Sequence, residues 1–192
     1  MGKAYLAVDV QNDFIEGGSM GVEGGEGVAL TVASHLEHHH QDYDLIVFTQ
    51  DWHIDPGNHW SDEPDFTDTW PIHCEADTDG AEIHPYLRTV FSWLPRNRYE
   101  YVRKGQYEAA YSPFEGTMAH NKQLLDDYLK ENGITELVVG GIATDHCVRE
   151  AVLDALKLGY TVTVKTNQVA GVDPQRAQAT LKEVEEAGAT LA

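Results

Sequence analysis

The chain has 192 residues, 42% of them hydrophobic and 23% charged, ordinary values for a folded water-soluble protein with enough chain to bury a core. Its charge is not ordinary: 13 basic against 32 acidic residues give a formal net charge of −19, which argues against nucleic acid and anionic membrane as partners because both reward Lys and Arg. No apolar run is long enough to span a bilayer, the N-terminal stretch has no signal-peptide core, and two cysteines, Cys74 and Cys147, make no disulfide framework. A cytoplasmic chain with reduced thiols is the expectation.

Residues 3–10 form a nearly continuous apolar run, the pattern of a strand buried on both faces of a parallel sheet. Asp9 stands near its end, and Gln11-Asn12-Asp13-Phe14 opens a glycine-rich loop. The spacing of Val28, Leu30, Val32, Ala33 and Leu36 predicts an amphipathic helix over about 26–41. Its histidine-rich tail, 35–40, reads as a solvated helix end. A second strand, 44–50, runs into Asp51-Trp-His-Ile-Asp-Pro-Gly-Asn-His59. A long insertion over about 51–98 follows, rich in Pro, Gly, Asp and aromatics. Connections of that length inside a compact domain usually build a site wall or lid. It carries Trp70-Pro-Ile-His-Cys74 and a short helix near 86–93.

A third strand, 99–103, ends in Lys104-Gly105, and a loop at 106–116 holds Tyr107, Tyr111 and Phe114. Beyond it come a helix over about 119–132, a strand at 136–140, a helix at 145–158, a strand at 160–166, a helix over about 174–187 and a short strand near 189–191. This alternation predicts an α/β fold in three layers, one domain over 1–192. Its sheet of about six strands is mostly parallel, with helices on both faces.

In such a sheet, ligands bind outside the carboxyl ends of the strands. Asp9, Asp51 with His53, Lys104 and Cys147 each follow a different strand on that rim. A thiol in the first turn of a helix is a candidate nucleophile, with thiolate favoured by the helix dipole; the alternative is a small buried cysteine that only packs. A carboxylate beside it can take its proton and return it to a leaving amine, and an ammonium can steady both. Each group also has a bland reading, Asp9 as a satisfied buried carboxylate and Lys104 as a solvated charge. Adjacent helical residues point about 100° apart, so His146 is expected to face away from Cys147. The set Asp51, His53, His59 and His73 offers one carboxylate and up to three imidazoles, ligands suited to zinc, iron or manganese. The alternative is a polar loop with exposed histidines.

Taken together, Val8-Asp-Val-Gln-Asn-Asp-Phe14, Asp51-Trp-His-Ile-Asp-Pro-Gly-Asn-His59, Trp70-Pro-Ile-His-Cys74, Lys104-Gly105, Tyr111-Ser-Pro-Phe-Glu115 and Gly141-Ile-Ala-Thr-Asp-His-Cys147 resemble the nicotinamidase (pyrazinamidase) group of the isochorismatase-like cysteine hydrolases. The resemblance implies Cys147 as nucleophile, Asp9 as acid and base, and Lys104 as its electrostatic partner. It implies a cis Ile142–Ala143 peptide, and an oxyanion hole from the Ala143 and Cys147 amides. Phe14, Trp70, Tyr111 and Ile142 would line the substrate pocket. Asp51, His53, His59 and His73 would hold one divalent metal, zinc first, with iron or manganese as alternatives. The implied reaction is hydrolysis of nicotinamide, with pyrazinamide a further candidate; a homo-oligomer is compatible with it.

Overall fold

The computed structural model describes residues 2–192. Seven strands form one sheet: β1 (Gly2–Val8), β2 (Leu45–Asp51), β3 (Tyr99–Lys104), β4 (Thr117–Met118), β5 (Ile134–Ile142), β6 (Thr161–Ala170) and β7 (Thr190–Leu191), in the order β4-β3-β2-β1-β5-β6-β7. All neighbours are parallel except β3 and β4. The first half of the chain winds outward from β1 in one direction and the second half in the other, so the strand order reverses beside β1. Connections diverge there and leave a crevice above the carboxyl ends.

Period-two alternation divides the core. Ala4, Leu6 and Val8 of β1 join a cluster with Leu125, Leu129, Ala151, Val152, Ala155 and Val184. These belong to helices α3 (Leu125–Glu131), α4 (Arg149–Lys157) and α5 (Pro174–Glu186). Tyr5 and Ala7 point the other way, into a cluster with Val28, Val32, Leu36 and Leu87 from α1 (Gly25–His39) and α2 (Pro85–Arg88). The three expected layers are present. Among the described residues, no helix is long and apolar enough to cross a membrane.

Two elements depart from expectation. The helix expected over 119–132 shortens to α3, because Asn121 takes the Gln123 N–H on its side chain at 3.0 Å and Lys122 adopts φ 63, a turn that competes with helix. Thr117–Met118, ahead of that turn, pairs antiparallel with β3 and becomes the seventh strand. The strand expected at 160–166 runs on to Ala170, carrying the chain to the rim of the crevice.

Candidate active site

β5 delivers the thiol. Its Gly141 pairs with Val8 at φ 136, and a Cβ there would lie 2.0 Å from the Val8 carbonyl oxygen. Only glycine fits so close an approach with that backbone. The Ile142–Ala143 peptide is cis, as the resemblance implies. A π-helical turn, Thr144–Val148, follows and leads into α4; the His146 and Val148 amides both donate to the Ala143 carbonyl at 3.1 Å. Cys147 sits in this turn, 6% exposed.

Three other strand ends meet it. The Cys147 Sγ and one carboxylate oxygen each from Asp9 and Asp51 lie within 4.8 Å of one another. Lys104, fully enclosed, reaches into this cluster. Its Nζ lies 2.9 Å from Asp9 Oδ2, donates to Asp51 Oδ1, and reaches the Ala110 carbonyl at 3.3 Å and Cys147 Sγ at 3.5 Å. Parallel register explains the geometry, since Asp51 and Lys104 are direct neighbours across β2 and β3. The reading of Lys104 as a solvated charge is therefore overturned.

Charge in this cluster follows from burial and pairing. Burial disfavours the Lys104 ammonium, but Asp51, Asp9 and Cys147 outweigh it and hold its pKa well above the ordinary lysine value. Burial raises the Asp9 carboxyl above its usual value despite the opposing Lys104. At Asp51 burial also pushes upward, yet Lys104, His53 and His73 together hold the carboxyl below the usual range. The Cys147 thiol is pushed well up by burial, which exceeds the pull of Lys104. The expectation of a thiolate favoured by a helix terminus is thus corrected in direction: burial, with Asp9 and Asp51 beside it, favours the protonated thiol. Asp9 stands ready to take the proton.

At the other end of the cavity His53, His59 and His73 each turn a ring nitrogen into one region within 4.8 Å. All three are buried, contrary to the exposed-loop reading. His53 Nδ1 donates to the Gly105 carbonyl at 2.5 Å and His73 Nδ1 donates to the Pro71 carbonyl at 2.7 Å. Carbonyl oxygens only accept, so both Nδ1 atoms carry hydrogen, which in a neutral ring leaves the Nε2 lone pair free. Those lone pairs face each other across 3.3 Å. Gly105 is fixed by the same contact, since a Cβ there would lie 2.6 Å from His53 Cε1. Two facing lone pairs repel unless a cation lies between or beside them. Asp51 Oδ2 adds negative charge at 3.8 Å from His53 Nε2 and 4.0 Å from His73 Nε2. Burial also depresses the His53 pKa, and that of His59 to about 4, favouring neutral rings. Three clustered imidazoles, two of them oriented by backbone-bonded Nδ1–H groups, and one carboxylate fit a divalent metal.

Between the two ends lies a cavity lined by Phe14, Trp70, Tyr111, Ile142, Val172 and His146, among others. Phe14, Trp70, Tyr111 and Ile142, the four residues named from the resemblance, all border this cavity. Trp70 Nε1 donates to the Tyr111 hydroxyl at 3.0 Å, locking two walls together. His146 makes no hydrogen bond to Cys147, yet it borders the same cavity, edge-on to Trp70 with ring centroids 5.4 Å apart. A π-turn rotates successive side chains less than an α-turn, which the 100° rule did not anticipate.

Three supporting residues went unread in the sequence. Gln11 bridges Asp51 on both backbone groups, accepting from its N–H and donating to its carbonyl, each at 2.8 Å. Thr49 holds Asp9. Asp145 accepts from the Val172 and Asp173 amides at 2.9 and 3.1 Å, tying the loop after β6 to the turn that bears Cys147. Polar residues in apolar strands and turns carry no periodic signal of such roles.

The model of the Isochorismatase domain matches residues 3–192. The chain is 42% identical over 189 residues to the nicotinamidase/pyrazinamidase of Mycobacterium tuberculosis, covering 98% of this chain and 97% of that one. Among solved structures it resembles a pyrazinamidase of Pyrococcus horikoshii in complex with zinc, at 31% identity and a TM-score of 0.82, covering 100% and 99% of the two chains. It also resembles PnC1 from L. infantum in complex with nicotinate, at 31% identity and a TM-score of 0.78, covering 100% and 92%. The parallel sheet, the crevice beside β1 and the whole-length match carry one conclusion: the chain belongs to the isochorismatase family.

Proposed function

We propose that this chain is a nicotinamidase, hydrolysing the carboxamide of nicotinamide to nicotinic acid and ammonia. One observation carries the reading: a single aromatic-walled cavity is lined both by Cys147, with Asp9 and Lys104 behind it, and by His59 and His73, whose ring nitrogens cluster with that of the enclosed His53. That layout suits a planar ring bearing a carboxamide on one side and a basic nitrogen on the other. The likeness to the Mycobacterium tuberculosis enzyme and to the nicotinate-bound structure supports the same substrate class and adds pyrazinamide as a second substrate.

Cys147 Sγ attacks the carboxamide carbon as its proton passes to Asp9. The Ala143 and Cys147 amides receive the developing oxyanion, at about 3 kcal/mol per donor. The tetrahedral species collapses as Asp9 returns the proton to the nitrogen, releasing ammonia and leaving a thioester on Cys147. Asp9 then deprotonates water; hydroxide attacks the thioester and expels the sulfur, which recovers its proton. Lys104 keeps the Asp9 and Sγ positions within reach of each other and balances the negative charge that alternates between them. Phe14, Trp70, Tyr111 and Ile142 hold the ring so that attack starts from an aligned pair. His53, His59 and His73 with Asp51 would hold a divalent ion, zinc in preference to iron or manganese, which would supply a Lewis acid to position the ring nitrogen.

The test is ammonia release by purified protein from nicotinamide, from pyrazinamide and from benzamide, which lacks the ring nitrogen. Nicotinamide and pyrazinamide should turn over and benzamide poorly. Chelation should weaken the first two. Cys147→Ala should lose more than about 1,000-fold in rate. Substantial turnover by the Cys147→Ala protein sinks the mechanism.

A further inference from the structure

Asp9 must present one oxygen to the thiol, to the leaving nitrogen and to water in turn. A carboxylate on a single-bonded side chain rotates unless something holds it. The fully buried Thr49 of β2 is placed to do so. Its Oγ1 accepts from the Asp9 N–H at 3.1 Å and lies 2.5 Å from Asp9 Oδ1. The Asp9 N–H takes one lone pair of Oγ1, and the hydroxyl hydrogen points at Oδ1 while Asp9 is ionised. The backbone and the carboxylate of Asp9 therefore close on one hydroxyl, at a residue held in the left-handed region with φ 47.

The other oxygen, Oδ2, is buried with no hydrogen-bond partner, although Lys104 Nζ stands 2.9 Å from it. That contact is an ion pair without hydrogen-bond alignment. In the ionised carboxylate Oδ1 is thus occupied as an acceptor, and Oδ2 is the oxygen free to receive a proton.

Resting on the acid–base role of Asp9 set out above, we propose that Thr49 is a positioning residue that locks the Asp9 carboxylate and directs every transferred proton to Oδ2. Nothing in its sequence context marks it, since threonine is an ordinary strand residue. Its hydroxyl, not its methyl group, does the holding.

Thr49→Ser, Thr49→Ala and Thr49→Val separate the two groups. Ser and Ala only delete atoms and differ from each other by the hydroxyl alone; Val keeps the volume and removes the hydroxyl. Two readouts apply: kcat and KM of the zinc-loaded protein with nicotinamide, and the rate at which iodoacetamide alkylates Cys147 in metal-free protein, read on the Cys147 peptide. Thr49→Ala and Thr49→Val should lose about 10- to 100-fold in kcat and slow alkylation in the same order, with KM little changed. Thr49→Ser should stay within about threefold of the parent on both readouts. Equal loss in Ser and Ala, or a parental rate in Ala, overturns the proposal. If the parent protein releases no ammonia from nicotinamide, the substrate reading fails while the alkylation series still decides the role of Thr49. Should Val not fold, the Ser and Ala pair suffices.

Discussion

Replacing Lys104 by Met removes the ammonium while keeping the length of the side chain. In the parent, Lys104 is 1% exposed and its Nζ serves Asp9, Asp51, the Ala110 carbonyl and Cys147 Sγ. The variant leaves two buried carboxylates facing each other without a counter-charge. Breaking a buried pair by removing one partner costs about 3–5 kcal/mol. At about 2–4 °C per kcal/mol for a chain of this size, the unfolding midpoint of chelated protein should fall by roughly 6–20 °C near neutral pH. The sign of the pH effect follows from the groups left behind. Lys104 itself has a raised folded pKa, so its contribution in the parent is fully present below the unfolded lysine value and lost only as pH rises through the folded one. In Lys104→Met the orphaned carboxyls take raised folded pKa values, so the variant's deficit should shrink as pH falls from 8 towards 5, where they gain protons. Chelated parent and variant, melted side by side across that range, provide the assay. A deficit under about 1 kcal/mol, or one that grows on acidification, refutes the assignment of Lys104 as the counter-charge of the cluster.

Gly141→Ala adds a Cβ 2.0 Å from the Val8 carbonyl oxygen at a backbone φ of 136, so it should destabilise by more than about 3 kcal/mol or prevent soluble expression, read by denaturant midpoint. The buried face of His35, with His39 and Lys165 nearby, holds its pKa down to about 4, and its Nε2 lies 2.7 Å from the Tyr43 hydroxyl. Its contribution is present above the unfolded value near 6.5 and lost as pH falls through the folded one, so His35→Gln should flatten the loss of stability between those limits by about 1 kcal/mol, solvent screening included. Asp145→Asn puts an N–H donor where two loop amides and the Arg176 guanidinium now find a carboxylate. It should loosen Val172 at the cavity wall and raise KM for nicotinamide about tenfold with a smaller change in kcat, measured by steady-state kinetics.

The frame of the fold was legible because it rests on periodicity. Apolar runs marked β1, β2 and β5, and the alternation of strand and helix implied a rim on which Asp9, Asp51, Lys104 and Cys147 meet. Charge states were not legible in the same way. The spacing of Cys147 suggests a dipole-activated thiolate, whereas the finished site buries it beside two carboxylates, and that pushes the thiol up. Turns were hidden for a related reason: the Asn121 side-chain bond and the π-turn that rotates His146 into the cavity depend on geometry that no repeat announces. Thr49 and Gln11 were silent because their partners lie 40 residues away in sequence.

Those separations carry a further consequence, for folding. The reactive cluster joins residues 40 positions apart at Asp9 and Thr49, 53 apart at Asp51 and Lys104, and 43 apart at Lys104 and Cys147. Each pairing spans a crossover between parallel strands, so none can form by local zipping, and the loop entropy must be met before any contact compensates it. Among the described residues, no hairpin or helix pair contains two of the reactive groups. Catalytic competence should therefore appear only with the completed central sheet, later than helical signal in refolding, and fragments from a single cut in the long insertion should be inert until they reassociate.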